Sequence, residues 1–432
     1  MNLKAKNLFK TLALALSVSL LAPLANKVSA EDINIQAPEI IGEASITMDI
    51  DTGEVIYSKN ADLKLSPAST TKLMTALLFA ENKNRTDTLS FSDTSLKVTE
   101  TALNNYGSVK AGDKISAEDT MKAVLIFSAN DAAYLMAESV GGTVDNFVNM
   151  MNEKAKELGL TDTHFENPSG LEIDPLNPSN TNINQTTAYD LAKIGIAAFK
   201  NEWVKDTISA KNIKTSITLS GNPMELESRN KILGKYNNIG GKTGTEVLAG
   251  HCFVGFFEKD GRDLVTVVLK SEYGVDGTNV FKDTEKVADY SYSAQKETYK
   301  NSGDEVGTVD LTYKTFGFFG AEKQITAPIY LNQDVQYYKN DFNDKYASIS
   351  YNGEVNNAWK FSGNKEVTLT YSTPGYSQDV LGTIKVSAME LVKANLPLYL
   401  LSLLILVIVL ILVILLIKII STNKRNRRRR YY

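Results

Sequence analysis

A single cysteine, Cys252, excludes any disulfide within the chain, so its 432 residues must be held by packing alone. It lies in the apolar run Cys252-Phe253-Val254-Gly255-Phe256-Phe257, the setting of a buried, inert thiol. Histidine is nearly as scarce. His164 and His251 are too few for a His-based metal cluster, and neither stands in a triad-like context. No metal ion or cofactor is expected. Acid is missing from both ends: residues 1–30 carry four lysines and residues 418–432 seven Lys or Arg, which leaves 35 basic against 50 acidic residues between them. An acidic body with basic ends does not point to nucleic acid as a partner.

Long apolar runs are confined to the ends. Lys4, Lys6 and Lys10 precede a largely apolar run from Leu12 to Ala22, and Val28-Ser29-Ala30 closes the segment with small residues. That is the layout of a secretory signal peptide, residues 1–30. At the other end Leu398 to Ile417 carries no charge, with Tyr399 and Ser402 as its polar breaks, and twenty residues suffice to cross about 30 Å of hydrocarbon. Lys418, Lys424, Arg425 and Arg427 to Arg430 follow at once. Positive charge stays inside, so residues 418–432 are expected to be a cytoplasmic tail on a single-pass cell-membrane protein whose body is extracytoplasmic.

Between these ends two folded domains are expected. From Ala44 an alternating pattern around Asp51-Thr52-Gly53 predicts a β-hairpin. Helical spacing recurs at Met121 to Phe127, Ala132 to Val140, Val144 to Leu158 and Thr187 to Phe199. Strands return at Lys242 to Thr245, Cys252 to Glu258 and Asp263 to Ser271, and a helix from Val280 to Lys296 closes the unit. Strands at both ends with helices between them predict an α/β domain over 31–298, one sheet covered by helices. Short Tyr-, Val- and Thr-rich runs then predict a small all-β domain over 299–388 with a spacer or packing role, followed by linker and transmembrane helix over 389–417.

Three short motifs carry the chemistry. Ser-x-x-Lys occurs five times, at Ser69, Ser228, Ser293, Ser362 and Ser421, so alone it selects nothing. Ser69 and Lys72 stand just behind Pro67, where a helix begins; residues at i and i+3 share a face, so a neutral Lys72 could take the proton of the Ser69 hydroxyl. Ser128-Ala129-Asn130, followed by Asp131, sits between two helical patterns, and Lys242-Thr243-Gly244-Thr245 heads a strand. Ser-x-x-Lys, Ser-x-Asn and Lys-Thr-Gly in this order are similar to the trio of penicillin-binding proteins and class A β-lactamases, with Ser-Ala-Asn for Ser-Asp-Asn. In such a site Ser69 attacks a carbonyl, while burial and the Lys242 charge keep Lys72 neutral. Ser128 relays the proton to the leaving amine. Asn130 holds the substrate amide and Lys72, Thr243 and Thr245 bind a carboxylate, and Gly244 lets substrate approach the strand. Backbone N–H groups of Ser69 and Thr245 form the oxyanion hole. Arg229 reads either as a sensor of the terminal carboxylate or as a solvated salt-bridge arginine.

The chain resembles the low-molecular-mass penicillin-binding proteins that are serine-type D-alanyl-D-alanine carboxypeptidases. D-x-x-T-G-E-V-I-Y-S-K-N-A-D, S-P-A-S-T-T-K-L-M-T, F-S-A-N-D-A-A, T-H-F-E-N-P-S-G-L and G-G-K-T-G-T with A-G-H-C carry the resemblance. It implies a β-lactamase/transpeptidase-like fold, removal of the terminal D-Ala from peptidoglycan stem peptides, and acylation by β-lactams. Many relatives end in an amphipathic helix lying on the membrane, whereas this chain ends in an apolar span. A β-lactamase would add a glutamate that activates water, for which Glu166 and Glu172 are available. A catalytically silent scaffold is a third reading; a sensor would need more than a fifteen-residue tail.

Overall fold

The computed structural model describes residues 36–106 and 109–429; the expected signal peptide and the end of the basic tail lie outside the described residues. Five antiparallel strands form the central sheet: β1 (Ala44–Asp49), β2 (Val55–Lys59), β3 (Asn238–Glu246), β4 (Gly250–Lys259) and β5 (Arg262–Ser271), in the spatial order β2-β1-β5-β4-β3. The two ends of the domain's sequence thus meet in one sheet, with β1 paired to β5. Strands β4 and β5 are apolar on both faces, as strands covered on both sides must be. Alternation sends Val254, Phe256, Val265 and Val267 into the main helical core. Phe253, Phe257, Leu264 and Val268 face the opposite way, against Val280, Phe281 and Ala288.

The longer helices around this sheet are α1 (Lys72–Asn82), α2 (Asn130–Gly141), α3 (Val144–Glu157), α4 (Ala188–Lys200) and α5 (Asn279–Ser293). Helix α1 is buried from Lys72 through Phe79, which is why its sequence is apolar nearly all round. That burial encloses Lys72 as well. Helices α3 and α4 start on Thr143 and Thr187, whose hydroxyls accept from the N–H groups of Asn146 and Asp190.

A second five-stranded antiparallel sheet is built from Glu305–Lys314, Glu322–Leu331, Ser348–Ser350, Lys365–Thr373 and Tyr376–Ile384. Its own core gathers Leu311, Tyr313, Leu369, Tyr371 and Ile384. The chain enters this region through Glu297–Lys300, paired with Val335–Tyr337. A helix not expected from the sequence, Asp341–Tyr346, docks it onto β2. Asn343 donates to the Val55 carbonyl at 2.8 Å, Ser58 bonds Asp341, and the Phe342 ring stacks on Tyr189 at 4.9 Å. Lys296, paired with Glu54 at 2.7 Å, stands 5.6 Å from the ring centre of Tyr376 in the second sheet. The region is therefore packed onto the first domain as well as following it.

The last helix runs Leu396–Arg429, and its apolar residues from Leu398 onward are exposed. At about 1.5 Å per residue, the stretch Leu398 to Ile417 is roughly 30 Å long, the thickness of a bilayer core. It is long and apolar enough to cross a membrane.

Candidate active site

Ser69 lies on a 3₁₀ turn, Ala68–Thr71, and Lys72 opens α1 behind it. The sequence pattern implies an α-helical face; the tighter turn has the same effect, because i and i+3 eclipse in a 3₁₀ helix. Two glycines clamp the turn. A Cβ on Gly244 of β3 would stand 2.8 Å from the Pro67 carbonyl oxygen and 3.0 Å from the Ser69 nitrogen. A Cβ on Gly170, whose φ is +87°, would stand 1.9 Å from the Ala68 carbonyl oxygen. Neither position admits a side chain.

Lys72 is fully buried, and its Nζ has three partners: Ser69 Oγ at 2.8 Å, Asn130 Oδ1 at 2.6 Å and the Ser169 carbonyl at 2.7 Å. The last two can only accept. A neutral amine has two N–H donors and one lone pair, so with both donors committed the lone pair faces the Ser69 hydroxyl. Burial, helped by the Arg229 charge and opposed by Glu246, Glu100 and Asp131, brings the Lys72 pKa down to about 7. The neutral form is thereby available at physiological pH.

Ser128 follows a π-helical turn, Ala123–Phe127, and has left-handed backbone angles, φ 72° and ψ 33°. Such a conformation costs a non-glycine residue about 1–3 kcal/mol. It brings the Ser128 hydroxyl within 2.9 Å of Lys242 Nζ, which also donates to the Thr243 carbonyl at 2.7 Å. Lys242 is buried, and burial first, then the charges of Lys72 and Arg229, holds its pKa well below the usual lysine value. Asn130 opens α2; its Nδ2 donates to the Glu100 carbonyl at 2.7 Å, which fixes the amide with Oδ1 toward Lys72.

A sequence profile described as D-alanyl-D-alanine carboxypeptidase matches residues 31–272, more than half of the chain. The chain belongs to this family. The D-alanyl-D-alanine carboxypeptidase DacF of Bacillus subtilis is 31% identical over 271 residues, covering 61% of this chain and 66% of the relative. DacC of Escherichia coli is 33% identical over 249 residues, covering 56% of this chain and 59% of the relative. The chain thus spans less than two thirds of these two relatives. A solved D-alanyl-D-alanine carboxypeptidase from Mycobacterium tuberculosis superposes with a TM-score of 0.55 at 26% identity, covering 60% of this chain and 94% of that one. Penicillin-binding protein D2 of Listeria monocytogenes, solved in an ampicillin-bound form, gives 0.51 at 29% identity, covering 59% of this chain and all of that one. The family profile stops at residue 272, short of the second sheet and the apolar helix.

The structure brings Ser69, Lys72 and Asn130 into one hydrogen-bonded set and Ser128 and Lys242 into a second, near enough for the Lys72 charge to lower Lys242, and lays Gly244 against the Ser69 turn. Thr243 is nearly buried beside them, and Thr245 is exposed at the cleft edge of β3. Arg229 donates from Nε to the Phe127 carbonyl at 2.6 Å, with its guanidinium 5.0 Å from the Phe127 ring centre. Among the described residues it makes no ion pair, and its charge lowers both lysines. His164 pairs with Glu166 at 3.1 Å, and His251 is buried against Tyr273 and Phe281, its pKa lowered by burial to about 4. Cys252 is buried, and burial pushes its thiol up to about 12.

Several members of the site have no role in the sequence reading. Ser169 supplies a carbonyl to Lys72, and Gly170 supports the Ser69 turn; the Asn167-Pro168-Ser169-Gly170 cluster signals a turn but not its partner. Buried Asp131 accepts from the N–H groups of Leu103 at 3.0 Å and Asn104 at 3.2 Å, which fixes the loop that carries Glu100. Glu246, next to Thr245, is raised to about 7 by burial and by the negative charges of Glu100 and Glu172.

Proposed function

We propose that this chain is a serine-type D-Ala-D-Ala carboxypeptidase that removes the terminal D-Ala of peptidoglycan stem pentapeptides through an acyl-enzyme on Ser69, and that β-lactams acylate the same oxygen. The observation that carries this is the Lys72 amine, buried and aimed at Ser69 by two acceptor-only partners. Ser69 Oγ attacks the carbonyl carbon of the penultimate D-Ala as its proton passes to Lys72. The tetrahedral oxyanion is held by the N–H groups of Ser69 and Thr245. Collapse breaks the C–N bond, and Ser128, hydrogen-bonded to Lys242, relays the proton held by Lys72 to the departing D-Ala amine, which leaves Ser128 as a hydroxyl and Lys72 neutral again. Water then releases the acyl group. Thr243, Thr245 and Arg229 receive the terminal carboxylate, and Asn130 the peptide amide.

The apolar helix is read as a single span with the catalytic unit outside the cell and the basic tail in the cytoplasm. Engagement of both candidate lactamase glutamates supports the peptidase over a β-lactamase. Glu166 accepts from Asn180 and contacts His164, and Glu172 accepts from the N–H groups of Leu248 and Ala249.

Detergent-solubilised full chain, given a diacyl-Lys-D-Ala-D-Ala peptide, should release free D-Ala, and Ser69→Ala should not. Equal release from the variant would refute the assignment. With penicillin, mass spectrometry should find a long-lived penicilloyl adduct on Ser69; rapid release of penicilloic acid would favour the β-lactamase instead.

A further inference from the structure

Away from the cleft, one turn of the second sheet breaks the usual chemistry of turns. Between Glu305–Lys314 and Glu322–Leu331 the chain reads Thr315-Phe316-Gly317-Phe318-Phe319-Gly320-Ala321, three phenylalanines in seven residues. They do not enter the core: Phe318 is 83% and Phe319 53% exposed. Phe316 stacks on Phe319 with centroids 4.8 Å apart, and Phe318 leans on Phe319 at 5.0 Å. An exposed aromatic patch of this kind marks a surface that meets something.

The neighbouring contacts show what that is. Tyr399 lies near the start of the apolar run of the last helix; its ring meets Phe316 edge-on at 5.2 Å, and its hydroxyl donates to the Thr315 carbonyl. Just before the helix, Asn395 is buried and donates to the Tyr313 hydroxyl at 3.0 Å, and Leu391 is fully buried in the core of the second sheet. The Trp359 indole N–H donates to the Lys314 carbonyl at the base of the turn. The aromatic turn is therefore fixed beside the point where the span begins. Aromatic side chains at that level occupy the headgroup boundary of a bilayer.

We propose that the Phe316–Phe319 turn inserts into the outer-leaflet interface, so that the protein meets the membrane through a span and a second, aromatic foothold. This rests on reading Leu398 to Ile417 as membrane-spanning. The bilayer is the occupant because the patch continues the lipid-facing surface of that helix.

Spin labels in the full chain, reconstituted in phosphatidylglycerol and phosphatidylcholine vesicles, test it. The native thiol is buried, so Phe318→Cys and Phe319→Cys can be labelled selectively, with Ser220→Cys as an aqueous reference and Ile408→Cys as a lipid reference. At 318 and 319 the ratio of collision with oxygen to collision with a nickel chelate should exceed that at 220 severalfold and fall below that at 408. A ratio at 318 and 319 equal to that at 220, with 408 in lipid, overturns the second foothold alone. An aqueous 408 overturns the span and the inference with it. Spin–spin broadening between labels at 318 would show that a second copy covers the patch, and would also overturn it.

Discussion

Burial of the Lys72 amine sets the pH behaviour of the proposed reaction. Protonated Lys72 has no lone pair for Ser69, so acylation by a β-lactam should rise with pH through about 7 and then level off. Stopped-flow acylation rates check this; a midpoint near the ordinary lysine value would show that Lys72 is not the base. Arg229→Gln removes a positive charge that lowers Lys72, so the acid limb should move to higher pH while KM for the D-Ala-terminated peptide rises. Gly170 is a second residue-scale constraint. Gly170→Ala forces a Cβ onto the Ala68 carbonyl at a positive φ, and should cost more than about 1 kcal/mol in thermal unfolding and slow acylation as the Ser69 turn shifts. Unchanged acylation would mean that the turn is held from the Gly244 side alone.

At the scale of elements, the first turn of α2 carries both Asn130, the proposed substrate contact, and a buried acid. Asp131 is raised from 3.8 to about 6 by burial, against the lowering effect of the N–H groups that it accepts. Between those values the folded chain keeps a proton that the unfolded chain has lost, so this group's contribution is greatest below pH 3.8 and declines as pH rises through 6. The loss amounts to about 3 kcal/mol. Asp131→Asn should flatten that part of the stability curve between pH 4 and 6.5, as followed by urea unfolding; an unaltered slope would mean that the acid titrates alike in both states.

The elements themselves were largely legible. The hairpin around Asp51, helices α2 to α4 and the β3–β5 run obey periods of 3.6 and 2, and the three motifs fall on the turn, loop and strand that their chemistry needs. Less legible were features that depend on what lies across the fold. Nothing near Gly170 in sequence reveals that it meets Ala68. Glu246 looks like an ordinary strand-end acid until Glu100 and Glu172 are brought beside it. The helix Asp341–Tyr346 is six residues long, too short to show a helical period.

For the molecule as a whole, that short helix decides whether the second sheet is a passive spacer. Phe342 is buried on Tyr189, and Asn343 ties β2 to the second region. Differential scanning calorimetry of the full chain should show one joint transition for the two folded parts. Phe342→Ala, at a cost of about 3 kcal/mol, should separate it into two. Two transitions already present in the parent would show that the contact is too weak to couple them.

Between the second sheet and the anchoring helix there is no slack. Asn395, Leu391 and Tyr399 are all engaged, so the chain has a stiff joint where a flexible tether could have stood. With the helix in a bilayer, the proposed nucleophile Ser69 can search a plane but not a depth. Its yield on the wall would then follow how many stem peptides the cell presents at that one height, a quantity that kinetics on soluble peptides does not sample.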